Sequence, residues 1–112
     1  MLKTGCLFHK HGSAVINITR TARHALSPSW QLLKSYKDGK ITWADYVVAY
    51  NDHLDSVYLR QPAIFWEIIR LAQKQDVTLL CYEREPEDRV RCHRILLAKY
   101  LRTLATSEGI TI

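Results

Sequence analysis

No stretch of this chain approaches the roughly 20 apolar residues that span a bilayer, so no membrane-crossing helix is expected. The first ten residues, MLKTGCLFHK, lack the apolar run of a secretory signal, which makes the cytoplasm the expected compartment. Cysteine is scarce. The three present are an odd number in a chain without such a signal, and they read as reduced thiols. None forms a C-x-x-C pair, the closer spacing that usual structural zinc sites show. Repeats, low-complexity segments and linkers are missing too, so one domain is expected over residues 1–112. Acid is nearly absent from the first 40 residues, where Asp38 stands against seven Lys and Arg.

What is present suits a globular domain. The chain is 47% hydrophobic and 24% charged, enough for a core that needs neither disulfide nor metal. The net charge of +5 is uneven, because residues 41–112 carry nine basic residues against ten acids. That asymmetry favours an anionic partner, either nucleic acid, a nucleotide or another phosphate. A solvated basic surface explains it equally well.

Element signals are clear in most of the chain. KTGCLFH reads as a first strand and SAVINIT as a second. The His11-Gly12 turn signal between them leaves no room for a crossover helix, which suggests an antiparallel hairpin. Ser27 suits a helix N-cap, with Pro28 at the first helical position and Gly39 as the stop. Thr42 and Asp45 form a capping-box pair before an aromatic stripe of Trp43, Tyr46 and Tyr50. That stripe reads as core rather than as a base-stacking platform. Pro62 opens a third helix, and VTLLCYE reads as a strand buried on both faces. The last helix is expected to start between Asp88 and Cys92 and to bury Leu97, Tyr100, Leu101 and Leu104. The terminal GITI is a candidate last strand. The order predicts a small α/β domain, with a central sheet of about three to four strands and helices packed on it.

In open α/β sheets, ligands sit beyond the carboxyl ends of the strands. Here that end is Cys81-Tyr82-Glu83, and Cys92-His93-Arg94 opens the helix that follows. A thiol in a first helical turn meets unpaired backbone N–H groups and the positive end of the dipole, and both favour the thiolate. Arg91, His93 and Arg94 push the same way, and the two arginines suit a phosphate or carboxylate. Cys81 and Glu83 share a strand face, so a carboxylate, a thiol and an imidazole could line one cleft. The bland readings stand beside these: Cys92 as a small half-buried residue at a helix start, His93 as a satisfied buried histidine on the Leu97 line. Zinc is disfavoured, since adjacent Cys92 and His93 diverge on a helix, and Cys6, His9 and His11 could only join them by folding. No metal and no cofactor is assigned.

The motifs VTLLCYE…RCHRILLAKYL and LSPSWQLLKSYKDGKITWADYVVAY, with the strand AVINIT, resemble the domain of unknown function 488 family, in a compact subgroup. The resemblance covers most of the chain. It implies an intracellular α/β domain and matches Cys81, Glu83, Cys92, His93 and Arg94 to motif positions. Asn17 falls where the family tends to carry Asp, and Arg20 stands for a family arginine. Together these lead to an anionic-ligand or catalytic pocket acting on a nucleotide or nucleic acid. Cys92, His93 and Glu83 take the catalytic roles, with Arg94, Cys81, Tyr82, Asn17 and Arg20 around the ligand. The alternative is a non-catalytic nucleic-acid- or protein-binding module whose Cys/His cluster is structural.

Overall fold

The computed structural model describes residues 1–6, 14–18, 24–81 and 92–112, and of Cys6 and Cys81 it describes the backbone alone. Among the described residues the elements run β1 (Leu2–Cys6), β2 (Ala14–Asn17), α1 (Trp30–Lys37), α2 (Trp43–Arg60), α3 (Pro62–Lys74), β3 (Val77–Cys81) and α4 (His93–Ser107). The sheet order is β1-β3-β2, and β3 pairs in parallel with both neighbours. This is the α/β architecture that the element order predicts.

The expected hairpin does not form. Leu2 and Ala14 both face Val77 across the ladders, so the two early strands flank β3 instead of touching each other. The reason is burial. The apolar run at 77–80 is covered on both faces, with Val77, Thr78, Leu79 and Leu80 all buried. A strand of that composition gains most at the centre of a sheet, with both edges paired. Leu2, Val77 and Leu79 join the helical core, and Ala14 and Ile16 pack against it. Both α3 and α4 lie against the sheet, and α2 packs on α1, α3 and α4.

Local chemistry explains the helix ends. The Oγ of Ser29 accepts from the Leu32 N–H at 3.1 Å, so Ser29 caps α1 and the expected cap at Ser27 is two residues early. Ser27 is itself buried, and Pro28 lies outside the helix. Gly39, at φ +74°, ends α1 in the left-handed region that glycine tolerates. Thr42 and Asp45 form the full capping box, each side chain accepting from the other's backbone N–H at 3.1 Å. Pro62 starts α3 as expected. The GITI segment is not a strand. Gly109 donates to Thr106 and Ile110 donates to Ala105, which closes α4 with a Schellman motif. Ile110 and Ile112 then pack on the core.

Candidate functional site

All three strands run the same way, so Cys6, Asn17 and Cys81 end at one edge of the sheet. The head of α4 is the helix start that follows β3. Cys92 is its N-cap, with extended backbone angles of −134° and 145°, rather than a first-turn residue. The first intrahelical contact is the Ile95 N–H to the Cys92 carbonyl at 3.1 Å. Cys92 makes no side-chain capping bond, and the first turn carries no acid. The positive end of the helix dipole is therefore not offset within α4.

His93 is buried, and its two nitrogens do different work. Nε2 lies 2.5 Å from the carbonyl oxygen of Ile18. A carbonyl only accepts, so Nε2 carries the hydrogen and Nδ1 keeps its lone pair. Nδ1 lies 3.8 Å from the Cys92 Sγ. The ring also meets Tyr50 edge-on, with centroids 5.8 Å apart. Burial lowers the His93 pKa to about 4, the Ile18 bond opposes the shift, and the Arg94 charge adds to it. At neutral pH the imidazole is thus neutral, a proton acceptor at Nδ1 rather than a cation.

Arg94 is only 2% exposed, and its Nη1 donates to the Gly5 carbonyl at 2.9 Å. One face of the guanidinium is thereby committed to the carboxyl end of β1. Cys92 is also buried, packed by Ile95, and it is disulfide-bonded. The expectation of a reduced thiol is corrected here. The other two cysteines terminate strands at the same sheet edge. In this state Cys92 is not a nucleophile.

The remaining expected site residues are placed unequally. Asn17 ends β2, exposed, opposite Leu80. Cys81 ends β3 opposite Cys6. Tyr82, Glu83 and Arg20 lie outside the described residues. Two contributors were not legible as site residues: Ile18, through its carbonyl, and Tyr50. The Ile18 contact is made by backbone and leaves no side-chain signature. Tyr50 reads as core from its spacing, and it is fully buried, but nothing local shows that its ring meets His93.

A concavity of about 430 Å³ lies on the seam of α2 and α4 and includes Val47, Asp55, Leu96, Lys99 and Tyr100. One lysine and one aspartate give it no bias toward anions. Among the described residues no group of three or more His, Cys, Asp or Glu is placed to hold a metal ion. No helix among them is long and apolar enough to cross a membrane.

Fold and site together define a class: a small α/β domain with a parallel sheet and a Cys-His-Arg sequence at the head of the helix after its central strand. A family model, DUF488-N3a, the active DUF488-N3 subclade, matches residues 17–105. The chain belongs to that family. No curated protein and no solved structure matches it.

Proposed function

We propose that the carboxyl edge of the sheet and the head of α4 form a pocket for an anionic ligand, with Cys92 as a thiol nucleophile in its reduced state. The observation that carries this reading is the 3.8 Å approach of His93 Nδ1 to Cys92 Sγ, with Nε2 pinned by Ile18. The pinning fixes the tautomer in which Nδ1 can accept the thiol proton. With the pKa of His93 near 4, proton transfer from the thiol to the imidazole is uphill on its own. An anion bound at the helix end would stabilise the imidazolium and ease that transfer. Arg94, with Arg20, would hold the anion, and Glu83 would orient water or a substrate hydroxyl. The basic excess of the first 40 residues favours a nucleotide or nucleic acid as the ligand class.

A direct test is to reduce the protein fully and alkylate it across pH, following Cys92 by peptide mass spectrometry. The expected midpoint lies below the free-thiol value of about 8.5, with slower labelling when inorganic phosphate is added. A midpoint at or above 8.5, with no protection by phosphate, would sink the reading.

A second reading is favoured by specific bonds. His93 and Arg94 both reach across to backbone carbonyls, of Ile18 and Gly5, and tie α4 to the strand ends. On that reading the cluster is structural and the protein is a binding module for nucleic acid or protein. Salt-dependent nucleic-acid binding that survives Cys92→Ser would select it.

A further inference from the structure

Tyr50 meets His93, and Asp55 meets Tyr100 further along both helices, so α2 and α4 run in the same direction. The seam between them opens into the concavity of about 430 Å³. Its α2 wall is Val47, Asn51 and Asp55, and its α4 wall runs from Leu96 to Leu104. Those positions recur every three or four residues, so each helix gives one face to the hollow over about 12 Å. The volume falls within the roughly 300 to 1,000 Å³ of small-molecule sites. Lys99 lies about 9 Å along α4 from His93, away from the Cys-His-Arg head.

The two walls carry opposite charges that do not meet. Both Asp55 and Lys99 line the hollow, yet among the described residues neither is in an ion pair. Asp55 is held in place, because the Tyr100 hydroxyl donates to its Oδ1 at 2.6 Å. A carboxylate has about four acceptor sites, so one bond leaves it open to a further donor. Lys99 brings three donors and no acceptor. A neighbouring hollow of about 340 Å³ shares Lys99 and Thr103 and adds Arg102, without an acid. The seam is thus negative on its α2 wall and positive on its α4 wall. Val47, Leu96 and Leu104 are half-buried, and covering them removes apolar surface from water.

We propose that this seam binds a small zwitterion with an apolar body, an α-amino acid with a large apolar side chain. Its ammonium donates to Asp55, its carboxylate accepts from Lys99, and its side chain lies on Val47, Leu96 and Leu104. These features select together. A plain anion meets Asp55, a plain cation meets Lys99, and a polar neutral solute leaves the apolar wall wet. Tyr100 is a positioning residue that fixes the carboxylate. Burial and the Asp55 bond raise its pKa, so the hydroxyl remains a donor at neutral pH. The site is independent of the nucleophile reading at the head of α4.

The test is a titration of the isotope-labelled full chain with L-phenylalanine, followed by amide chemical shifts. Saturable shifts are expected on α2 from Val47 to Asp55 and on α4 from Leu96 to Leu104. Phenethylamine lacks the carboxylate and hydrocinnamate lacks the ammonium. Each should bind at least about tenfold more weakly, through loss of one charge-assisted hydrogen bond. Asp55→Asn and Lys99→Met should weaken L-phenylalanine binding to the same degree. Both side chains are exposed, so the melting curves of these variants by circular dichroism should match the wild type. No saturable shift up to the solubility limit overturns the proposal, and so does unchanged affinity in both variants. Equal binding of either analogue also overturns it, since one charge would then suffice. Shifts centred on His93 would place the ligand at the head of α4 and overturn the site.

Discussion

The Nε2 of His93 and the carbonyl oxygen of Ile18 lie 2.5 Å apart, joining the start of the last helix to the end of the second strand. The bond requires a neutral or doubly protonated ring with hydrogen on Nε2. Burial selects the neutral one.

That selection makes stability depend on pH. His93 has a pKa of about 4 in the folded protein against an ordinary 6.5. As pH falls through 6.5 the unfolded chain takes up a proton that the folded chain refuses, so stability is level above 6.5 and declines toward 4. At about 1.4 kcal/mol per pKa unit the loss is on the order of 3 kcal/mol. His24, also lowered by burial, adds in the same direction. Urea midpoints measured between pH 7 and pH 4 should fall in the wild type and fall much less in His93→Gln. Equal slopes would clear His93 of the effect.

Arg94→Lys should destabilise the fold by about 1 to 3 kcal/mol. The guanidinium is buried and bonded to the Gly5 carbonyl, and a lysine ammonium offers a more strongly hydrated charge in its place. The readout is the denaturant midpoint at pH 7. An unchanged midpoint would mean that the contact to β1 contributes nothing.

Tyr50→Phe keeps the ring against His93 and removes the hydroxyl that donates to the Leu26 carbonyl at 2.6 Å. A buried acceptor then loses its donor, at a cost of about 1 to 3 kcal/mol. The loss should register as a lower melting temperature by circular dichroism, with the His93 pH slope retained. Loss of that slope would show that the hydroxyl, and not the ring, sets the environment of His93.

Thr42→Ala removes one half of the capping box and should cost about 1 kcal/mol, whereas Thr42→Ser should be close to neutral. Hydrogen exchange in the first turn of α2 would localise the change. Equal protection in both variants would argue that α2 is held by its packing alone.

The features legible in the sequence are those whose chemistry is local. The capping box at Thr42 and Asp45, Pro62 at the head of α3 and the apolar run from Val77 each carry their cause within a few residues. Ser27 and Ser29 both resemble caps, and only the bond from Leu32 to Ser29 separates them. The parallel pairing of β1 and β2 with β3 was not legible, because a turn signal at His11-Gly12 says nothing about a partner 60 residues away. At the site, sequence places Cys92, His93 and Arg94 at a helix start. It does not show that His93 and Arg94 reach backward to carbonyls of Ile18 and Gly5.

The central position of β3 has a consequence for how the chain comes together. Leu2 and Ala14 wait for the same residue, Val77, before either strand has a neighbour. Every strand pairing in the sheet therefore closes a loop of more than half the chain. During synthesis α1, α2 and α3 are all made before β3 emerges. The helices can gather early, and the sheet forms late and in one event, when a single five-residue segment arrives to join two strands that have had no partner.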